Sequence, residues 1–361
     1  MKTINICKGI TAEIKKTTAR ISIGENVTNI GTSIRDFINE NKITTVKFNG
    51  GGDKLKNISH MFEKCETIEH IVLADFDTSN VVDMSYMFYQ CKNLNYLNVK
   101  KFNTSQVEDM SYMFCGCENL KRIISLSNMC TPNAKFMTGM FSGCINIEKM
   151  NLSKFDTSNV INMSNMFENC KSLKNVNLSN FNTKQTTNMT HMFYNCNNIE
   201  VINLSNFDTS NVVDMSYMFY QCSHIKTLNL SNFDTSNVVD MSYMFYQCIN
   251  LRRININNFN TQLVEDMSYM FYHCKNIISI DVSKFDTSFV KNMRYMFAGC
   301  TQIKRIDISK FKLTNVTDIR HTIQGMFSKC YNLRTIVQIR LKNPSYKLSY
   351  IDIMKSMIAD E

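Results

Sequence analysis

Cysteine is the first residue type in this chain whose regular spacing could support chemistry, as a metal ligand, a disulfide partner or a nucleophile. The pattern M-F-x-x-C occurs eleven times, mostly at intervals of 26 residues. No histidine or second cysteine recurs beside it at metal-ligand spacing, and an odd number of aligned thiols argues against pairing. The pattern therefore predicts a ladder of small buried side chains. Its members are Cys65, Cys91, Cys117, Cys144, Cys170, Cys196, Cys222, Cys248, Cys274, Cys300 and Cys330.

The other residue types that serve catalysis do not converge in the sequence. The six histidines are spread over five phases of the repeat. No glycine-rich phosphate loop, paired-carboxylate site or nucleophile motif is present. The sequence therefore predicts a protein that is not an enzyme and that uses no cofactor or metal. The histidines are His60, His70, His191, His224, His273 and His321.

The formal charge of +9 is concentrated in the last third of the chain, where residues 251–350 contain sixteen basic and six acidic side chains. Such an excess favours an acidic partner, including nucleic acid or an anionic surface. The charges are scattered, however, and no nucleic-acid-binding motif or interleaved aromatic pattern accompanies them. Nucleic acid is therefore the weakest of the partner hypotheses.

The N-terminal sequence lacks the apolar core of a secretory signal, and no stretch approaches the ~18 apolar residues of a membrane span. These features predict a soluble protein in a reducing compartment, either the cytoplasm or a virion, whose thiols are free.

The elements that carry these residues follow from one repeat unit, the segment FDTSNVVDMSYMFYQC, which recurs unchanged at 76–91, 207–222 and 233–248. Capping residue types open it, and apolar residues at steps of three and four then predict a short helix. An L-x-x-L-x-L spacing after the cysteine predicts a short strand. The helical positions are Val81, Met84, Met87, Phe88 and Cys91, and the strand positions are Leu94, Leu97 and Val99.

Stacked units of this kind predict an α/β repeat solenoid, because a single unit cannot bury its own apolar face. The expected form is a leucine-rich-repeat-type curved coil, with a parallel sheet of short strands on the concave side and short helices on the convex side. We expect an N-terminal cap at 1–55 with a helix at 33–41, eleven repeats at 56–340, and a C-terminal capping helix at 341–361. A one-residue insertion within 118–141 predicts a local bulge or kink.

The outward positions of the predicted strands are the candidate binding residues. Their asparagine and serine columns have two interpretations: stacks that hydrogen-bond along the sheet, or a shallow polar groove for a peptide, glycan or protein. The candidate residues are Tyr96, Asn98, Lys100, Asn151, Asn177, Asn203, Asn229, Arg253, Asn255, Asp281, Arg305 and Asp307.

Tyrosine columns on the convex side also have two interpretations. They could pack against one another, or they could form a self-association surface, since tyrosine favours interfaces. Cys115 interrupts one column and is expected to be more exposed than the ladder cysteines. The candidate self-association residues are Tyr86, Tyr89, Tyr217, Tyr220, Tyr243, Tyr246, Tyr269 and Tyr272.

The motif F-D-T-S-N-V-x-x-M-S-x-M-F-x-x-C-x-x-L-x-x-L-x-L resembles the BspA-like leucine-rich repeat family over roughly residues 56–340. The resemblance implies adhesion or protein–protein recognition, often on an exposed surface, and it brings no catalytic residues. Where that family commonly places glycine before the cysteine, this chain has residues such as Gln90, Asn169, Lys64 and His273.

Three functions follow in order of preference. The first is a recognition module for another protein or a glycan, and the second is a self-assembling structural, surface or virion component. The third is a binder of acidic partners through the basic last third.

Overall fold

The computed structural model describes residues 2–73, 75–313, 316, 318–337 and 355–358, and the chain divides into two compact units, residues 1–185 and 186–361. Each unit is a parallel β-solenoid in which successive coils contribute short parallel strands, buried corners and turn segments. The predicted repeat solenoid of the leucine-rich-repeat type is therefore confirmed.

Unit 1 (residues 1–185) begins with an antiparallel sheet that continues into parallel coils. The first three strands were not predicted from the sequence, whereas the helix predicted at 33–41 is present as α1 (Ser33–Glu40). The sheet runs through β1 (Lys2–Cys7), β2 (Ile10–Lys15), β3 (Thr18–Ile23), β4 (Thr45–Phe48), β5 (His70–Val72), β6 (Tyr96–Asn98) and β7 (Ile123–Ile124). A separate parallel pair follows, β8 (Lys149–Asn151) with β9 (Asn175–Asn177).

Unit 2 (residues 186–361) contains two parallel pairs of named strands. β10 (Thr227–Asn229) pairs with β11 (Arg253–Asn255), and β12 (Arg305–Asp307) pairs with β13 (Thr335–Val337). The lengthened last repeat accommodates the short helix α2 (Ile319–Ile323).

The last coil of unit 2 is covered by the helical residues 355–358. The carbonyls of Ser356 and Met357 accept the N–H groups of Gly325 and Phe327 at 2.8 and 2.7 Å, and Met357 is buried. The rest of the predicted capping helix, including Leu348, Ile351 and Met354, lies outside the described residues. The described part therefore occupies the place that a further coil would take.

Turn segments stand where the convex helices were predicted, and that part of the fold prediction is wrong. Between Met84 and Cys91 the backbone makes consecutive tight turns, in which Tyr86 and Gln90 have φ of +57° and +54°. Their N–H groups donate to the next coil, that of Tyr86 to the Ser111 carbonyl at 2.9 Å. A left-handed residue at every fourth position ends any helical run.

The spacing between coils explains why turns replace helices. Isolated parallel bridges join consecutive coils beside the turn segments, as between Asp83 and Asp109. Bridged chains lie about 4.8 Å apart, whereas a helix with its side chains is about 10 Å wide. Apolar residues at steps of three and four suit consecutive tight turns as well as a helix, so the pattern could not separate the two.

The interior consists of columns of identical residues. Phenylalanine rings stack from coil to coil with centroids 5.4–5.8 Å apart in unit 1 and 5.2–5.7 Å apart in unit 2. At each corner a buried threonine bridges two coils: the Thr78 hydroxyl donates to the Asn103 carbonyl at 3.0 Å and accepts the Asn103 N–H at 2.8 Å. Polar groups inside the coils therefore have partners in the next coil.

The ladder cysteines use their thiols as hydrogen-bond donors. Cys117 Sγ donates to the Phe88 carbonyl at 3.1 Å, and that oxygen also accepts the N–H of Cys91 at 3.1 Å. The same bond recurs in other coils, as from Cys248 to Phe219 at 3.1 Å. All 14 cysteines are free, and burial raises the pKa of Cys91 and Cys248 to about 12. The ladder is thus a set of buried donors rather than reactive thiols.

Alkylation should separate these thiols from the others. In native protein treated with iodoacetamide at about pH 8, we expect Cys130 to react first because it is exposed, followed by the half-buried Cys7, Cys115 and Cys330. The buried ladder cysteines should react only after unfolding. Peptide mass spectrometry reads the sites, and Cys130→Ser should remove the fast adduct. Native labelling of Cys91 or Cys248 at the rate of Cys130 would contradict the assignment.

A ladder of carboxylates follows the isolated bridges of unit 2. Asp214, Asp240 and Asp266 bridge one another in consecutive coils. Asp240 accepts the N–H of Ser242 at 2.7 Å, and burial, with the neighbouring carboxylates, raises its pKa. At the ladder's end, the Asn292 amide donates to Asp266 at 3.0 Å. An asparagine can therefore occupy this position and replace repulsion by a hydrogen bond.

Asp240→Asn is expected to stabilise the protein near neutral pH by about 0.5–1 kcal/mol, the scale of a like-charge pair on neighbouring strands. Because the folded pKa of Asp240 is raised, its contribution to stability is complete below the ordinary Asp pKa and is lost as pH rises through the folded value. The gain should therefore appear in urea unfolding at about pH 7 and vanish at about pH 3.

Asp281→Asn is the matched control with the opposite sign. The Ser283 hydroxyl, bonded to the Asp281 carboxylate at 2.6 Å, lowers the pKa of Asp281. Its contribution is therefore present above the ordinary Asp pKa and is lost as pH falls through the folded value. A stabilisation of equal size in both variants would show that the carboxylate ladder is not its cause.

Candidate functional site

In each unit, the outward side chains of the short parallel strands form a surface that we call the strand face. Its central column is the series predicted from the sequence, and its members are exposed or half-buried. The column comprises Asn98, Asn151 and Asn177 in unit 1, and Asn203, Asn229, Asn255, Asp281 and Asp307 in unit 2.

Each member of this column accepts a hydrogen bond from the backbone of its own repeat. Asn98 Oδ1 accepts the N–H of Lys100 at 2.9 Å, and Asn229 Oδ1 accepts that of Ser231 at 3.2 Å. The acceptor stands two residues before the donor, which is an Asx-turn at the end of the strand. One of the two interpretations of this column has its side chains bonding along the sheet, whereas in the structure these oxygens accept bonds from the turn.

This turn fixes the polarity of the strand face. Because the side-chain oxygen must face the N–H of the turn, the amide nitrogen of each asparagine is left to point outward. For Asn151, Asn177 and Asn229, the described part of the chain offers that nitrogen no partner. The asparagine column is therefore a row of hydrogen-bond donors, whereas Asp281 and Asp307 present acceptors in the same position.

Tyr96, Asn98 and Lys100 line one cleft of about 250 Å³ on the strand face of unit 1. Lys101 and Val72 line it too, and the side chain of Val72 is exposed. The sequence singled out Tyr96 and Lys100 but missed Val72. An apolar residue at an outward strand position was the available signal.

A second cleft, of about 420 Å³, lies between β7 and β8 in unit 1. β7 pairs only with β6 and β8 only with β9, so the sheet is interrupted between them. The interruption falls on the predicted irregularity at 118–141, where Ser125 has φ of +63° and a short 3₁₀ helix follows at Leu126–Asn128. Asn151 and Asn177 line this cleft, together with Arg122 and Lys149, which the sequence analysis did not select.

The two predicted arginines lie in unit 2 on separate strands. Arg253 belongs to β11 and Arg305 to β12, and both are exposed on the strand face. Ser279 occupies the same repeat position between them. Arg252, adjacent to Arg253, is also exposed. The arginines therefore contribute positive charge to the strand face without meeting in one pocket among those described.

The tyrosine columns lie on the outward side of the turn segments, which we call the turn face. Tyr217 and Tyr243 stack with centroids 4.6 Å apart, and Tyr220 and Tyr246 stack at 4.5 Å. Burial raises the pKa of Tyr217 to about 12. Because each ring face is covered by the ring of the next coil, the columns offer ring edges rather than faces. In unit 1, Tyr86 stacks similarly between His60 and Tyr112.

The titratable side chains that could support chemistry have structural partners. His60 bonds Glu63 at 2.8 Å, His191 stacks on Tyr217 at 4.6 Å, and His224 bonds the Asn197 carbonyl at 2.6 Å. Among the described residues, no three histidine, cysteine or acidic side chains are grouped as a metal site would require. None of the described helices is long and apolar enough to cross a membrane.

The sequence matches the family model described as Mycoplasma protein of unknown function, DUF285, over residues 51–149, 135–253, 189–280 and 249–360. No curated protein matches it significantly. Similar solved structures include a leucine rich cell surface protein from Faecalibacterium prausnitzii, with 16% identity, 100% of this chain and 98% of that chain covered, and a TM-score of 0.40.

Two further solved structures resemble this chain. A leucine-rich repeat protein from Eubacterium ventriosum has 14% identity, covers 80% of this chain and 94% of its own, and gives a TM-score of 0.29. An LRR protein from Leptospira interrogans has 10% identity, covers 86% of this chain and 93% of its own, and gives a TM-score of 0.24.

The Asx-turn makes a distinct prediction for the strand face. Asn229→Ala should lower the free energy of unfolding by about 1 kcal/mol, because the Ser231 N–H loses its acceptor. Asn229→Asp should be close to neutral, because Asp281 and Asp307 make the same turn at 3.0 and 2.9 Å. Urea unfolding measures both, and an equal loss in the two variants would contradict the turn.

Proposed function

The chain belongs to the DUF285 family, and we propose that it is a non-enzymatic recognition module that binds another protein through its strand face. The observation that carries the proposal is the polarity of that face. Its asparagine oxygens are held in Asx-turns, so the amide donors and the neighbouring cations face outward. Such a surface matches a partner rich in carbonyl or carboxylate oxygens.

The distribution of outward residues supports recognition by the strand face. Two clefts open on it in unit 1, each with cations beside apolar side chains. The turn face instead covers its aromatic rings with one another, which leaves less of each ring for a partner. In repeat proteins the side chains that point away from the core carry function, and the strand face has the greater chemical variety.

The finer assignment is to the BspA-like type of leucine-rich repeat. The segment FDTSNVVDMSYMFYQC at 76–91, 207–222 and 233–248 supports it. With that assignment we propose adhesion or recognition at an exposed surface, where a glycan could replace a protein as the bound partner.

A second candidate function, self-association, is favoured by an apolar strip in unit 2. Val213, Val239, Leu263 and Phe289 come from successive coils and are 46%, 36%, 47% and 53% exposed. The ion pair between Lys291 and Glu265, at 2.7 Å, flanks the strip. Exposed apolar side chains in neighbouring coils are typical of protein–protein contacts.

Site-specific photo-crosslinking distinguishes the two functions. We expect benzoyl-phenylalanine at Thr227, on the strand face, to give a discrete adduct with another protein of the source cells, and the same group at Tyr246, on the turn face, to give none. Excess unmodified protein should abolish the adduct. Gel mass and peptide mass spectrometry identify the product.

Matched variants link the adduct to the donor column. Asn203→Asp with Asn229→Asp keeps the turns and reverses the polarity, so the Thr227 adduct should fall by about fivefold or more while thermal unfolding changes little. Benzoyl-phenylalanine at Val239 tests the alternative. If only this position gives an adduct, and the adduct has twice the mass of the chain, the result would support self-association instead. An unchanged Thr227 adduct in the double variant would contradict the role of the donors.

A further inference from the structure

The interruption of the sheet in unit 1 leaves a groove between two consecutive coils. β7 and β8 belong to consecutive coils, yet their facing edges form no strand pairing. The inserted residue is accommodated by the left-handed Ser125 and the 3₁₀ turn that follows it. Elsewhere in unit 1, neighbouring strands such as β5 and β6 close this space by pairing.

The groove extends to both sides of two cations. On one side it is the cleft of about 420 Å³ that ends at Ser127 and Asn177, and on the other it is a depression of about 580 Å³ that reaches Lys121 and Asn146. Arg122 and Lys149 line both parts. The groove thus follows residues 121–127, and at about 3.3 Å per residue an extended chain of about six residues would fill it.

The two cations have no counter-ion in the described part of the chain. Arg122 and Lys149 are exposed and make no ion pair there. One acid, Glu148, lines the groove beside Lys149, and its carboxylate is bound by Lys174 at 2.9 Å. Lys121 lines the groove as well, so an anionic ligand meets more positive than negative charge there.

The floor of the groove selects among anions. Ile123, Leu126, Ile147 and Met150 line it beneath the cations, and Asn177 offers its amide nitrogen at the edge. A glutamate side chain matches this arrangement, because its methylene groups can contact the apolar floor while its carboxylate meets Arg122. Single-stranded nucleic acid is typically bound by aromatic stacking surfaces, and no aromatic side chain lines this groove.

We propose that this groove binds an extended acidic segment of a protein partner, with Arg122 and Lys149 holding its carboxylates. The proposal rests on the proposed recognition function and names the chemistry of the segment recognised. Arg122 supplies a fork of donors to one carboxylate, and Lys149 supplies a point charge to the same carboxylate or the next.

Fluorescence anisotropy with labelled hexaglutamate tests the proposal on the full chain. We expect saturable binding of hexaglutamate and none of hexaglutamine at the same concentration. Arg122→Gln and Lys149→Gln should each weaken binding about tenfold, because charge-assisted hydrogen bonds are lost. Both side chains are exposed, so thermal unfolding of the variants should match that of the native chain.

Arg253→Gln is the matched control, since Arg253 holds the same repeat position as Lys149 on a strand, β11, that does pair with the strand of the preceding coil. It should leave hexaglutamate binding within about twofold. An equal loss in all three variants would overturn the proposal in favour of general attraction to positive charge. Tighter binding of a six-nucleotide single strand than of hexaglutamate would overturn it in favour of nucleic acid.

The outcome is separable from that of the recognition function. If hexaglutamate does not bind but the strand-face adduct at Thr227 still depends on the asparagine donors, the groove proposal alone fails. If hexaglutamate binds as expected but no strand-face adduct forms, the groove stands as an acidic-peptide site and the general function fails.

Discussion

In the turn segments, alternate backbone N–H groups hydrogen-bond to the following coil, as Tyr86 does with Ser111, and the other features of the coils depend on this bonding. The N–H groups between them close the turns, as that of Tyr89 does with the Tyr86 carbonyl. The bonding between coils holds them at strand spacing beside the turns, where a helix would not fit. It also requires a left-handed residue twice in each turn segment. Tyr86 and Gln90 occupy such positions at a steric cost of about 1–2 kcal/mol each, which the surrounding hydrogen bonds and packing must offset.

Because the coils are evenly spaced, each repeated residue forms a column, and polar groups in one coil hydrogen-bond to groups in the next. Thr78 closes the corner on Asn103, and Cys117 donates to the Phe88 carbonyl. These polar and sulfur-containing side chains therefore hydrogen-bond between coils in the interior rather than forming a site. What remains for a partner lies outside the interior, on the strand face and the turn face. The tyrosine rings of the turn face cover one another, as those of Tyr220 and Tyr246 do. The strand face therefore leaves more side-chain surface for a partner.

The sequence predicts the coil length, the inward columns and the strand positions, because each depends on a period that the order of the residues reveals. It does not predict the turn segments, since tight turns and a helix share the same apolar spacing. The residue before each cysteine carried the distinguishing signal: Gln90, Asn169 and His273 stand at the left-handed position that glycine fills at Gly116. The insertion near 118–141 was visible, but its consequence was not, because only the register shows that β7 and β8 fail to pair.

The Asx-turn separates what the fold needs from what a partner meets. Asn229 and Asp281 both provide the oxygen that the turn requires, yet one leaves an outward donor and the other an outward acceptor. The polarity of the strand face can therefore change from coil to coil with little effect on stability. The interruption between β7 and β8 adds a cleft to the strand face, in which apolar side chains lie beside Arg122 and Lys149. Paired strands would close this cleft. On the strand face of unit 1, this interruption therefore joins positive charge to an apolar recess.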